Sequence, residues 1–273
     1  DVLNGTERVD QFFTMRQMRL QNNLGFTKVL GDDIRLSFNS RINAADLPSD
    51  LRVTPVLYPE LFGYESQEAI QEMSNRKFRS SNTVSIIKPF TKVGIDLQAS
   101  VGFSNDLQTM KSNLYNPFSI GNVPDSLCNH ITYQRYDLRG KLAMSYRYRE
   151  FHMSIGTSPT YSHLTTDDHI QNRIRSKDRV FFNPYINIDW KISPNLSVLA
   201  NGSITGNLGS GSNVYSGYIM TDYRLVGSRD DDIAESLEQN YTGEVRYADA
   251  LKSIFSSVRI GYWRRNSNMM YGT

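Results

Sequence analysis

His163, Asp167, Asp168 and His169 stand close together in HLTTDDH, and two imidazoles with a carboxylate form a donor set for a divalent metal. The spacing is not that of HExxH, which puts two histidines on one helix face, so the plainer reading is a polar loop. Asp230-Asp231-Asp232 would attract a cation, but it lacks the spaced ligands and the glycine of a calcium loop. It reads as an acidic loop tip. Gly206, Gly209 and Gly211 in GNLGSGS follow a strand without GxGxxG spacing, and no helix N-terminus comes after them to hold a phosphate. Asn4, Asn195, Asn201 and Asn240 each open a glycosylation sequon; two of these fall in or beside expected strands, which makes chance matching the better account. The single Cys128 excludes an internal disulfide and any Cys-based zinc site. These patterns imply no cofactor and no enzyme.

The elements around these residues are better defined than any site. In VGIDLQASVGFS, Val93, Ile95, Leu97, Ala99, Val101 and Phe103 alternate without a slip with Gly94, Asp96, Gln98, Ser100, Gly102 and Ser104. A period of two is a strand with one apolar and one polar face. Soluble strands usually run about five or six residues, whereas a tilted strand crossing a bilayer needs about nine to eleven. Bulk composition permits this reading. Hydrophobic residues are 39%, mean hydropathy is −0.47, and no run of apolar residues is long enough for a transmembrane helix. A barrel escapes that test because half of each strand is polar. With 30 basic and 28 acidic residues there is no electrostatic case for nucleic acid. DVLNGTERVD lacks the parts of a signal peptide and NMMYGT is not a strand, so a segment of a longer polypeptide is expected.

Along the chain, strands are expected over 18–30 and 34–43, a long connection over 44–81 with a short helix near 66–74, and weak extended structure over 83–88. The 93–104 strand is followed by a polar loop over 105–130. Strands over 132–148 and 151–161 flank a turn at Arg149-Glu150, and a polar loop covers 162–178. Strands near 182–190 and 196–205 precede a loop over 206–239, and a last pair spans 241–247 and 254–263. Tight turns near 31–33, 89–92, 149–150, 193–195 and 248–252 alternate with long loops. Outer-membrane barrels have this arrangement, short turns inside and long loops outside, whereas a sandwich mixes connection lengths. The fold class expected is all-β: an antiparallel transmembrane β-barrel segment of about ten strands with short periplasmic turns and long extracellular loops. Residues 1–273 form part of one such domain. Arg35, Asp96, Asp137, Arg139, Arg147, His152, Asp189, Glu244, Arg246, Arg259 and Trp263 are the lumen-facing candidates. Leu97, Val101, Leu138, Met144, Ile155 and Ile188 are expected to face lipid.

LSFNSRINAADLP, NPYINIDWKISPNLSVLANGSITGNLG, GYIMTDYR and YADALKSIFSSVRIGYWRRNSNMMYG resemble the barrel region of TonB-dependent outer-membrane receptors of the Bacteroidota type. These often carry a carboxypeptidase-like regulatory domain upstream. The resemblance rests on barrel texture, and the TonB box, plug domain and aromatic terminal strand of the family are missing. It implies a barrel of about twenty-two strands, an outer-membrane location and uptake of a glycan, peptide or metal chelate. The partners implied are lipid, a plug domain, the remaining strands, the TonB complex and, in related glycan importers, a surface lipoprotein.

Two readings remain beside this one. A self-contained ten-strand barrel would be a pore or a rim protease, and His152 is the histidine such a protease would offer. It follows a short turn, at the end opposite an extracellular rim, so a plain lumen histidine is the better account. A soluble β surface protein is the other. Among the aromatics Tyr133, Tyr136, Tyr146, Tyr148, Trp190, Tyr247 and Tyr262, the outward ones suit interfacial belts. Trp263 and Tyr185 are read as inward, stacking on a ligand or filling space against a plug.

Overall fold

The computed structural model describes residues 9–56, 67–118, 122–209, 214–230 and 232–268. Among them the strands are β1 (Asp10–Met15), β2 (Met18–Val29), β3 (Arg35–Thr54), β4 (Ala69–Phe90), β5 (Ile95–Tyr115) and β6 (Cys128–Tyr148). There follow β7 (Phe151–Thr157), β8 (Thr160–Asp168), β9 (Arg173–Phe181), β10 (Pro184–Ser193) and β11 (Leu196–Leu208). The last are β12 (Tyr215–Asp222), β13 (Leu225–Arg229), β14 (Glu235–Asp249) and β15 (Ile254–Ser267). All pairing is antiparallel, in a 13-stranded sheet and a two-stranded hairpin, β12–β13.

Three breaks in the sheet do not alter register. β1 and β2 follow one register along β3, from Asp10 opposite Thr54 to Val29 opposite Arg35. At the break Arg16 donates its N–H to the Pro48 carbonyl at 3.1 Å, and proline has no N–H to return the bond. The same happens at Pro159, whose carbonyl accepts the Gly140 N–H at 2.8 Å between β7 and β8. Across from it, Asn183 separates β9 from β10 and accepts the Ser158 N–H at 3.2 Å. Merging these pairs reduces the thirteen strands to ten wall runs, neighbours in chain order. β3, β4, β5 and β6 run 20 to 22 residues, longer than a bilayer requires.

Tight connections fall at 30–34, 91–94, 149–150, 194–195 and 250–253, at one end of the wall, as the sequence implies. Gly94 adopts φ +66 in the second of them, a conformation only glycine enters freely. The other end needs correction. Residues 44–54 and 69–81 are strand, not connection, and nothing over 67–74 is helical. The loop expected over 105–130 shrinks to 116–127, and that over 162–178 to the turn at 169–172. Gly211, the Asn4 sequon and most of both termini lie outside the described residues.

The polar face ends in a core. Near the loop end its alternating positions become apolar: Leu51, Val53, Ala69 and Leu114 pack with Leu127 and Met220, while Met110 and Ile131 pack with Ile219. Residues 214–230, carrying the β12–β13 hairpin, lie across this inner surface as a strap. The wall also forks. β10 pairs with β11 up to Tyr185 and Ser203, but β9 pairs with β8 alone. Above the fork Leu208 packs on Tyr133, Leu164, Phe181 and Ile233, so the tip of β11 lies inside the β8–β9 hairpin in a second layer. Gly206 makes this possible, because a Cβ there would sit 2.1 Å from the Phe181 ring.

Candidate functional site

Residues directly opposite in antiparallel strands share a face, so the register fixes what the wall presents on each side. Arg35, Ile87, Gln98, Ala143, Gly156, Tyr185, Ser203, Asn240 and Trp263 form one continuous row across the sheet. With the period of two, that row places all eleven candidates on one face, together with Tyr185. Leu97, Val101, Leu138, Met144, Ile155 and Ile188 fall on the other, where Leu97 is 44% exposed and Val101 61%.

The charged face is organised in transverse rows. Nearest the tight turns, Arg147, His152, Asp189, Leu199, Glu244 and Arg259 stand opposite one another across six strands. Glu244 accepts two hydrogen bonds from Arg259, at 2.6 and 2.9 Å, and is also bound by Arg246. Five of the sequence candidates thus meet in one line, and Arg246 joins it through Glu244. The next row up is one carboxylate followed by hydroxyls and amides: Asp96, then Ser145, Ser154, Asn187, Asn201 and Thr242. In it Asn187 donates to Ser154 at 3.2 Å and Asn201 to Thr242 at 3.3 Å. Asp137 sits higher and is buried, held by Arg135 at 2.8 Å, Ser162 at 2.5 Å and Ser104 at 3.3 Å.

At the loop end the sequence reading missed the principal feature. Arg173, Arg175, Lys177 and Arg179 occupy alternate positions of β9 on the inner face, opposite Asp168, Thr166, Leu164 and Ser162. RIRSKDRVF shows this alternation, but its outward partners include Ser176 and Asp178, so no apolar face betrays the strand. Arg173 and Arg175 both bind Asp230 of the strap, the second at 2.7 Å. Lys177 and Arg179 both bind Glu235, at 3.2 and 2.7 Å. Burial alone would raise the Asp230 carboxyl, but the two guanidiniums hold it below its ordinary value. The strap is further tied by Asn129, which exchanges hydrogen bonds with Gly217 at 2.8 and 3.1 Å, and by Gln71, which accepts the Met220 N–H at 3.0 Å. Ser216 donates to Asp168 at 2.5 Å and the Tyr223 N–H to Gln11 at 3.2 Å.

The HLTTDDH group is divided by the same alternation. His163 and Asp167 point outward from β8, whereas Asp168 points inward and is buried. His163 binds Asp178 at 2.8 Å; His169 binds Thr132 at 3.0 Å and its ring meets that of His130 at a tilt, with centroids 4.4 Å apart. Among the described residues no group of three metal-binding side chains converges. His152 stays next to the tight turn, between Arg147 and Asp189.

On the apolar face, Tyr136 and Tyr148 of β6 bracket the belt, about twelve residues or roughly 30 Å apart for a tilted strand, the height of a girdled membrane band. Phe151 and Trp190 continue the lower border, edge to face at 6.2 Å, and Phe103 stacks on Tyr136 at the upper one at 6.2 Å. Tyr133 faces inward and is buried in the core. A shallow trough of about 840 Å3, bordered by Leu97, Leu142, Met144, Ile155, Ile186 and Tyr241, belongs to this belt, not to the charged face.

Ten antiparallel runs, one face apolar and girdled, the other charged, with tight turns at one end and long connections at the other, make the wall of an outer-membrane β-barrel. Among the described residues the wall is open, its first and last runs unpaired on their outer edges. Among solved structures it is similar to the ferric citrate transporter FecA in the unliganded form, with TM-score 0.54, 9% identity, and coverage of 93% of this chain and 43% of that one. It is similar also to the ferric-catecholate import receptor Fiu from K12 E. coli, with TM-score 0.51, 9% identity, and coverage of 95% and 45%. For the ferric yersiniabactin uptake receptor FyuA from Yersinia pestis the values are 0.50, 10%, 88% and 41%. The chain therefore spans less than half the length of these receptors. No protein-family model matches it, and no curated protein matches it in sequence.

Proposed function

We propose that this chain is part of the wall of a TonB-dependent importer of the outer membrane. One observation carries the reading: a single unbroken register puts every charged candidate on one face and the apolar belt on the other, in a wall that spans under half of receptors of like fold. In the assembled barrel the belt meets lipid and the charged rows line the lumen. The row from Arg147 to Arg259 then faces a plug domain, which it holds through ion pairs and hydrogen bonds, and residues 116–127 and 209–234 face the outside. Further strands complete the barrel along the two open edges, and the plug passes energy from the inner-membrane TonB complex. The wall performs no covalent chemistry. The cargo is a glycan, a peptide or a metal chelate, and a Bacteroidota source with an upstream regulatory domain and a surface lipoprotein fits the sequence texture.

The test is uptake by cells carrying the full-length protein, measured with labelled oligosaccharides, peptides and ferric chelates. One class should lose uptake both when the gene is deleted and when a protonophore removes the energy source. Uptake that depends on the gene but ignores the protonophore would instead select a passive pore, the reading that the count of ten runs favours.

A further inference from the structure

Several cations of the charged face have acids bound to them: Arg135 has Asp137, Arg246 and Arg259 have Glu244, and Lys177 and Arg179 have Glu235. The inner face of β2, β3 and β4 differs. Arg19, Arg41, Lys77 and Arg79 all lie on it and are exposed, and among the described residues none of the four makes an ion pair. Asp106 of β5 stands opposite Arg79, and the four cations outnumber it. Two adjoining hollows open on these side chains, of about 560 and 490 Å3, and Asn43 and Arg79 border both. Amides complete the border, Asn23 and Asn39 in one hollow and Gln21 and Gln108 in the other. Arg41 donates to the Asn23 amide oxygen at 3.0 Å. No aromatic side chain of β2, β3, β4 or β5 is on this face. The hollows lie halfway along β4, between the tight turns and the apolar core under the strap.

We infer that these hollows form a binding site for an acidic oligosaccharide, its carboxylates held by Arg19, Arg41, Lys77 and Arg79 and its hydroxyls by the amides. The inference rests on the importer reading, which makes this face the lumen, and it narrows the cargo to one class. Charge is the first reason. Four cations without bound acids leave a positive potential in a concave surface, which concentrates anions there. Guanidiniums grip carboxylates through paired N–H donors. Lys77 and Arg79 stand two residues apart on β4, about 6.6 Å, and Arg19 stands two strands from Lys77, about 9.6 Å. Charges spread over such distances fit an elongated ligand with carboxylates on successive units better than a compact ion. The amides are the second reason. Asn and Gln both donate and accept, as sugar hydroxyls do, whereas the carboxylate oxygens of a metal chelate only accept. An extended peptide pairs its own N–H and C=O groups with a free strand edge; the hollows lie on a sheet face whose backbone groups are spent in the ladder.

The experiment titrates the full-length protein in detergent with tetragalacturonate, followed by calorimetry. The uronate should bind, and its fully methyl-esterified form, neutral and of the same length, should bind at least tenfold more weakly. Arg41→Gln/Arg79→Gln should weaken uronate binding at least tenfold. Both side chains are exposed, so heat-dependent gel mobility should match that of the parent protein. Asn43→Asp keeps the size of the side chain, adds a negative charge between the hollows and should weaken the uronate as well. Tetraglutamate, ferric citrate and tripolyphosphate are the competing probes, and any of them binding as tightly as the uronate would overturn the acidic-sugar class. Uronate binding that is absent, or unchanged in both variants, would overturn the site itself, the result expected if acids of a plug domain already cover the cations. Binding is read without transport. A protein that binds the uronate but takes it up regardless of a protonophore would keep the site and lose the importer reading.

Discussion

The carbonyl oxygen of Arg147 lies where a side chain on Gly94 would have to go: a Cβ on Gly94 would meet it at 2.1 Å, and the same residue holds φ +66. The Gly94 carbonyl accepts the Arg147 N–H at 2.7 Å, so the turn between β4 and β5 is sewn to β6 through this one glycine. Gly94→Ala combines a left-handed strain of about 1–2 kcal/mol with a backbone clash. We expect a loss of at least about 2 kcal/mol in denaturant titration of the folded barrel. A loss under about 0.5 kcal/mol would show that the turn adopts another shape.

The two faces predict opposite tolerance to charge. Arg at Val101, Leu138 or Ile155 should cost about 2–4 kcal/mol, as for a basic residue placed at the bilayer midplane. Arg at Gln98 or Ser145, on the opposite face of the same sheet, should cost far less. Folding in lipid vesicles followed by tryptophan fluorescence compares the two sets, and equal damage would mean that the faces have been misassigned.

Trypsin added to intact cells tests sidedness. Arg224 and Arg229, in the strap, should be cut slowly. Arg149, in the tight turn between β6 and β7, should be cut only after the outer membrane is permeabilised. Early cleavage at Arg149 would invert the wall in the membrane.

The strap should respond to salt and resist mild acid. Asp230 is faced by Arg173 and Arg175 of β9 and, across the cleft, by Asp168 of β8. Its carboxyl is held below its ordinary 3.8, so its ion pairs are complete above that value and fail only as pH falls through the lowered one. A spin label at Tyr223→Cys should therefore stay immobile from pH 8 to pH 5. In 1 M salt, where the Debye length is about 3 Å, it should loosen. Release near pH 6 would assign the latch to a histidine instead.

Refolded alone in detergent, residues 1–273 should not give a closed monomer. Every residue of β2 and β15 is exposed, and their outer edges have no partner strand among the described residues. Closing the sheet on itself would crowd Arg35, Arg139, Arg147, Arg246 and Trp263, because barrel width falls with strand number. Light scattering and heat-dependent gel mobility should report association. A discrete, protease-resistant monomer would promote the self-contained barrel.

Where alternation is strict the sequence reads directly into structure, because one face of the wall is greasy and the other wet. Ile95–Ser104 and the tight turns are examples, although Val93 and Gly94 fall in the turn before β5, and the eleven candidates share one face. At the loop end that contrast fails for two physical reasons. Inward positions such as Leu51, Met110 and Leu114 become apolar under the strap, while outward positions such as His163, Asp167 and Asp178 become polar above the belt. AIQEMSNRKF and HLTTDD therefore look like loop or helix although both are strand. Pro48 misled in the same direction: it forfeits one ladder bond without ending the run. The strap's contacts are long-range, Met220 with Gln71 and Gly217 with Asn129, and no local pattern announces them.

In the proposed barrel the fork between β9 and β11 limits where the membrane can lie. Above Asn183 and Gly206 neither strand has a paired neighbour on that side among the described residues; at the junction the Asn183 side chain accepts the Gly206 N–H at 2.8 Å. Water solvates bare strand edges, but in hydrocarbon each unpaired group costs several kcal/mol. The outer limit of the hydrocarbon therefore passes no higher than the fork. Measured from Trp190, that leaves roughly 17 Å of tilted strand, against roughly 30 Å between the tyrosines of β6. In the proposed barrel, lipid beside β9–β11 would thin to match.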